Sequence, residues 1–180
     1  MDIKKLFSVP FVVDTLSEID NAKIKDYCNK LKQAYQGKQR TVYSNVGGWH
    51  SPIITGYVPE LNELFYAILK KLKVLYKEVG VHESLEPQIG QAWANINKRG
   101  DYNQEHFHDG WFFSAVYYVE APEDCGDFVA KYDSEEIRIK PETGKLLIFP
   151  SFVLHYVEPS NSDQDRISIA LDSKIIKKAL

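Results

Sequence analysis

From about Gln88 onward the apolar residues of this chain stop recurring at helical spacing and begin to alternate. PQIGQAWANINK, FFSAVYYVE, DFVAKYDS, EIRIK, KLLIFP, VLHYVEP and RISIALD are short runs rich in aromatic and β-branched residues, parted by Gly, Pro, Asp and Asn clusters. Successive side chains of a strand point to opposite faces, so runs of this kind pair into sheets with two distinct sides. The pattern predicts an α+β chain, mainly β, built as a sheet sandwich or barrel with helices on its outer face.

The first half supplies those helices. SEIDNAKIKDYCNKLKQAYQG begins at a Ser17 or Asp20 cap, repeats apolar positions at Ile24, Tyr27, Cys28, Leu31 and Tyr35, and stops at Gly37. ELNELFYAILKKLKVLYKEVG repeats Leu61, Leu64, Phe65, Ile68, Leu69, Leu72 and Leu75 with lysines on the other face, and ends at Gly80. Ahead of both, LFSVPFVVDTL reads as an edge strand or an extended entry segment. Between them, RTVYSNVGGWHSPIITGYVPE carries Gly47, Gly48, Pro52 and Gly56 and reads as an irregular loop of the kind that rims a site. The closing SKIIKKAL reads as a short helix or a frayed tail.

A length of 180 residues at 44% hydrophobic content suits one sizeable core. We expect one domain over 1–180, with 1–87 as helical support and rim loop and 88–172 as the β core. A formal net charge of -3 provides no global field for nucleic acid or an anionic membrane. Cys28 and Cys125 lie far apart without a CxxC or CxH neighbour, which argues against a zinc ribbon or a disulfide framework. No apolar run is long enough to span a bilayer, and the amino end is too broken by Pro10 and Asp14 for a signal sequence. The expectation is a soluble, unprocessed cytoplasmic protein.

The chemistry concentrates in three histidines. On a strand, residues two apart share a face, so His106 and His108 can ligate one ion, and His155 from a distant strand completes a facial set with three open positions. That suits a redox metal that must bind oxygen and substrate, as in non-heme Fe(II) sites, whose usual set is two histidines and a carboxylate. Asp109 is the alternative ligand if the strand bends after His108. A lone histidine on a half-buried strand is more often a packing residue than a ligand. Three in this constellation reverse that balance. Arg166, eleven residues past His155, offers a planar cation that recognises a carboxylate through two parallel hydrogen bonds, and Ser168 faces the same way. Alone, such an arginine is as readily a surface ion-pair partner.

These residues resemble the iron(II)- and 2-oxoglutarate-dependent oxygenase superfamily over about Gln91 to Leu171. SNVGGWHS, WANINKRGDYNQEHFH, GWFFSAVYYVE and GKLLIFPSFVLHYVEP…RISIA are similar to a small bacterial and phage group within it, distantly similar to prolyl 4-hydroxylases. The resemblance implies a double-stranded β-helix, or jelly roll, with two N-terminal supporting helices. It also implies Fe(II), 2-oxoglutarate as co-substrate and ascorbate as a further candidate cofactor. His106 and His155 match the signature histidines, Arg166 the residue that binds the co-substrate's far carboxylate, and Ser168 its neighbour. His108 stands where the family has aspartate, which leaves the metal site one unit more positive.

The implied reaction is hydroxylation of a prolyl, peptidyl or amino-acid side chain with release of succinate and CO2. Its partners would be dioxygen and a small-molecule or peptide substrate, with no membrane and no nucleic acid, and a homodimer is one open arrangement. Asn95, Asn97, Asn103 and Tyr117 are candidates to hydrogen-bond the co-substrate, although turn or core roles suit each as well. Trp49, His50 and Trp111 are candidates to line a substrate cleft. Two alternatives stay open: a cupin-type three-histidine dioxygenase that uses no 2-oxoglutarate, against which Arg166 weighs, and a non-catalytic jelly-roll binding module.

Overall fold

The computed structural model describes residues 8–35 and 44–178. In chain order its elements are β1 (Val12–Thr15), α1 (Asn21–Ala34), β2 (Asn45–Val46), β3 (Trp49–His50), α2 (Asn62–Glu78), β4 (Leu85–Asn97), β5 (Tyr102–His106), β6 (Phe113–Glu120), β7 (Phe128–Tyr132), β8 (Glu135–Ile139), β9 (Lys145–Pro150), β10 (Leu154–Val157) and β11 (Arg166–Lys177). The strands form two antiparallel sheets, one in the order β1, β9, β6, β11, β4, β3 and the other β2, β5, β10, β7, β8. This is the sheet sandwich the alternating pattern predicts and the jelly roll the resemblance implies, with both helices on the larger sheet.

Alternation divides the large sheet between two cores. On β11, Ile167, Ile169 and Leu171 face the helices; on β4 and β6 the matching residues are Ala92, Ala94, Ile96, Phe113, Ala115, Tyr117 and Val119. Helix α2 lays Leu64, Ile68, Leu72 and Leu75 on that surface, a stripe at spacings of four, four and three. Each such fully buried side chain stabilises the fold by roughly 1.5–3 kcal/mol. Helix α1 adds Ile24 and Cys28, and its first turn is capped by the Asp20 carboxylate, which accepts from the Lys23 amide at 3.0 Å. The smaller core, Tyr118, Phe128, Ala130, Leu147, Phe149 and Val153, lies between the sheets.

The structure departs from the sequence reading in four places. Short strands β2 and β3 occupy the supposed irregular loop: β2 pairs with β5 and β3 with β4, so the first half contributes edge strands as well as helices. Strand β11 continues to Lys177, pairing with β4 as far as Leu85, where a helix or frayed tail was expected. Strand β5 ends at His106, so His108 lies beyond it and the same-strand argument for the pair does not hold. The last departure concerns bulges. Asp172 and Ser173 are adjacent, but their β4 partners are Gln91 and Ile89, leaving Gly90 as the extra residue. Only glycine fits there, since a Cβ would lie 1.9 Å from the Trp111 ring. The expected helix stop at Gly37 lies outside the described residues. Among the described residues no helix is long and apolar enough to cross a membrane.

Candidate metal centre and co-substrate cleft

Strand pairing brings the histidines together across fifty residues of sequence. His155 on β10 is the direct cross-strand partner of His106 on β5, and their rings lie 4.2 Å apart. The next pair in this ladder is Val157 with Asn103, two residues on along β10 but three along β5. The extra residue is a bulge, which turns both Asn103 and His106 into the same cleft. His108 reaches the site from the turn that follows. Its amide donates to the Ser151 carbonyl at 2.8 Å, and its ring stacks on His155 at 5.2 Å and 7°. The potential ligand atoms of His106, His108 and His155 all lie within 4.8 Å of one another. Asp109 is exposed and outside this group.

Each ring has its other nitrogen engaged outward. His106 Nδ1 faces the Gln104 carbonyl at 2.7 Å and His155 Nδ1 the Val153 carbonyl at 2.9 Å. A carbonyl only accepts, so both Nδ1 atoms carry the proton and leave Nε2 with a lone pair. His108 Nδ1 faces the Asp172 carboxylate at 3.1 Å, which fixes the same tautomer. Burial holds His106 down to about 4 and His155 well below the ordinary histidine range, so both rings are neutral at neutral pH. Neutral imidazoles oriented by outward hydrogen bonds are the state a divalent metal requires.

Along the cleft from the histidines, β11 presents Ser168 and Arg166. Ser168 is flanked by Asn95 on β4 and Tyr118 on β6, its direct partners on either side. Arg166 is 2% exposed and donates from Nη1 to the Cys125 carbonyl. Among the described residues that line the cleft, Arg166 is the one permanent charge. Asn95 accepts from Asn45 Nδ2 at 3.2 Å, and Asn45 accepts from Asn97 Nδ2 at 2.6 Å, a buried chain that holds this wall. Tyr118 is 1% exposed, and its hydroxyl is the buried side-chain polar atom without a hydrogen-bond partner among the described residues. Burial pushes that hydroxyl's pKa up, with Arg166 opposing. An orphaned phenol, a buried guanidinium and an amide converging on one cavity fit the far carboxylate of a dicarboxylic acid.

Other candidates are placed differently. Tyr117 points to the helix side, where its hydroxyl donates to Asn21 Oδ1 at 2.8 Å, and its neighbour Tyr118 enters the cleft instead. Trp49 packs in the helix-side core. His50 stacks behind Trp93 at 5.7 Å, and Trp93 stacks on His108 at 5.6 Å, so Trp93 stands between His50 and the metal centre. Trp111 covers Gly90, away from the cleft lining. Sequence reasoning passed over Trp93, Tyr118 and Asp172. Cleft-face parity was the available signal: Trp93 with Asn95 on β4, Tyr118 with Ser114 and Val116 on β6, and Asp172 with Ser168 and Arg166 on β11.

The fold is a double-stranded β-helix, and the three-histidine cluster within it is a candidate metal centre. Residues 91–138 and 129–172 match the family described as "Putative 2OG-Fe(II) oxygenase". That match and the three-histidine cluster support Fe(II) and 2-oxoglutarate as cofactors. Among solved structures, the chain is similar to a Trichoplax adhaerens prolyl hydroxylase in complex with a hypoxia inducible factor oxygen degradation domain peptide fragment. That match has 16% identity and a TM-score of 0.67, covering 91% of this chain and 82% of that one. It is also similar to a Pseudomonas putida prolyl-4-hydroxylase, with 16% identity and a TM-score of 0.63 over 94% of this chain and 93% of that one. A Burkholderia pseudomallei oxidoreductase of the 2OG-Fe(II) oxygenase family matches at 15% identity and a TM-score of 0.54, over 65% of this chain; the chain spans 57% of that protein's length. At these identities the likeness is one of fold. No curated protein matches in sequence.

Proposed function

We propose that the chain, acting as a single domain, hydroxylates a peptidyl or amino-acid side chain, with His106, His108 and His155 as the Fe(II) ligands. When bound, Fe(II) and 2-oxoglutarate supply dioxygen activation coupled to decarboxylation of the co-substrate to succinate and CO2, with one oxygen atom entering a substrate C–H bond. The three Nε2 atoms would hold the metal. Arg166 pairs with the far carboxylate of 2-oxoglutarate through its outward N–H groups. The Tyr118 hydroxyl gains there the partner it lacks, and Ser168 and Asn95 flank the same carboxylate. Phe128 and Phe149 pack on His155 at 5.4 and 4.7 Å and keep water from the far side of the ligand set.

The observation that carries this reading is a cleft with three imidazoles clustered within reach of one ion and a single buried cation, which suits an anion chelated to a divalent metal. Phe107, between two of the histidines, and Phe152, beside Ser151, are 55% and 58% exposed. Apolar groups held in water next to a site support a peptide substrate over a free amino acid, and the Trichoplax adhaerens neighbour holds a peptide fragment. The test is an anaerobic titration of metal-free protein with Fe(II), then 2-oxoglutarate, followed by visible absorption. A charge-transfer band that needs both components supports the reading. Tight Fe(II) binding without a band or any effect of 2-oxoglutarate refutes it.

A further inference from the structure

Asp172 bonds to His108, the residue at which this chain departs from the two-histidine, one-carboxylate pattern. Its side chain is 0% exposed, and both oxygens are occupied. Oδ2 accepts from His108 Nδ1 at 3.1 Å and from Gln91 Nε2 at 2.7 Å, and Oδ1 accepts from Ser114 Oγ at 2.6 Å. Gln91 and Ser114 are the cross-strand partners of Asp172 on β4 and β6, so the large sheet itself delivers two of the three donors. Ser114 in turn meets Ser151 Oγ at 2.8 Å, and Ser151 is the residue whose carbonyl fixes the His108 amide. Backbone and ring of His108 are thus fastened to one network ending on a buried carboxylate.

No carboxylate lines the cleft itself: among the described residues there, none is an aspartate or glutamate. A buried carboxylate is costly unless its bonds are filled and a positive group stands opposite. Here two of the three donors, Gln91 and Ser114, are neutral, and a cation held at Nε2 of His108 would stand one imidazole away.

Resting on the metal-site reading above, we propose that Asp172 replaces, through His108, the negative charge that a ligating carboxylate would have given the metal. It acts as a positioning and charge-balancing residue: the Asp172–His108 bond fixes the ring's tautomer and raises the basicity of Nε2, and the carboxylate offsets one unit of metal charge without touching the metal. Carboxylate–histidine pairs of this kind typically alter metal affinity 10- to 100-fold, about the range expected here.

The test measures Fe(II) affinity anaerobically, by competition with a chromophoric chelator, in four proteins: the parent, D172N, H108D and the H108D/D172N double variant. In the parent background D172N weakens Fe(II) binding at least 10-fold. H108D moves a carboxylate into the ligand set and sets it against Asp172, so adding D172N there relieves like-charge repulsion and strengthens binding at least 5-fold. A reversal of sign between backgrounds is the expected result, and a merely structural aspartate would not produce it. A change of the same sign in both backgrounds, or one under 3-fold in the parent, overturns the proposal while leaving the metal site standing. A parent protein that fails to bind Fe(II) overturns the metal-site reading instead. If D172N does not fold, S114A loosens the carboxylate without removing its charge, and it should weaken Fe(II) binding about 3- to 10-fold; an unchanged affinity overturns the proposal.

Discussion

Replacing Arg166 with alanine tests the co-substrate end of the cleft most directly. The guanidinium carries five N–H donors, is 2% exposed, and donates from Nη1 to the Cys125 carbonyl. The remaining donors are available to a carboxylate in the cleft. Each hydrogen bond to a charged group contributes about 1.5–3 kcal/mol net, and a bidentate pair supplies two. Taking the lower end, because the cleft opens to water, the loss is about 3 kcal/mol, roughly 100-fold in the dissociation constant for 2-oxoglutarate. Lysine retains the charge but not the fork, and should recover about half of the free energy, leaving a deficit of roughly 10-fold. The assay is titration of 2-oxoglutarate into Fe(II)-loaded protein without oxygen, read by the charge-transfer band, alongside a separate Fe(II) titration. Fe(II) affinity alone should be unchanged, since Arg166 is no part of the histidine cluster. An Arg166→Ala protein that binds 2-oxoglutarate within 3-fold of the parent would refute the assignment of this arginine and return weight to a three-histidine dioxygenase that uses no oxo acid.

Tyr118→Phe removes a buried hydroxyl with no partner, so the metal-free protein should gain about 1 kcal/mol and melt about 3 °C higher while binding 2-oxoglutarate about 5-fold more weakly; a lower melting temperature would contradict the orphaned state. His155→Ala removes a side chain 4% exposed at the heart of the cluster, and Fe(II) affinity by chelator competition should fall at least about 100-fold, with His82→Ala as an unaffected control. Lowering the pH should destabilise the metal-free protein. His106 titrates at about 4 when folded against the ordinary 6.5, so the unfolded chain binds more protons in that window. The stability this group contributes is complete above about 6.5 and lost as pH falls toward 4, by up to about 3 kcal/mol. Urea midpoints across that range measure it, and a flat profile would show that the ring is not desolvated.

What the sequence made legible was whatever local periodicity encodes. The α2 stripe and the alternation from β6 to β11 each need only a dozen neighbouring residues to be seen, and β10 and β11 carry His155 and Arg166 at spacings that read without a structure. What it hid was encoded by pairing. Tyr117 and Tyr118 lie on opposite faces of β6, but which of the two faces the cleft is set by pairing, where Ser168 on β11 meets Tyr118. Strand β5 ends at His106, which defeats the argument that His106 and His108 share a strand face, although both rings arrive at the site. Asp172 reads as the polar end of an apolar strand until the fold closes a contact across 64 residues to His108.

The placement of β11 explains why site and core are hard to separate here. It pairs along most of its length with β4 on one side and β6 on the other, and its alternate residues serve opposite layers: Ile167, Ile169 and Leu171 the helix-side core, Arg166, Ser168 and Asp172 the cleft. A slip of one residue would exchange the two sets and bury a guanidinium and a carboxylate among the leucines of α2. The hydrophobic demand that holds this strand in register is therefore the same demand that aims its polar residues. His106 and His155 come from the smaller sheet, whereas His108 is tied through Asp172 to the larger one. A metal held by all three would bridge the sheets across the mouth of the sandwich, so the sheet spacing that sets the reach of His108 toward Asp172 also sets the geometry of the ligand set.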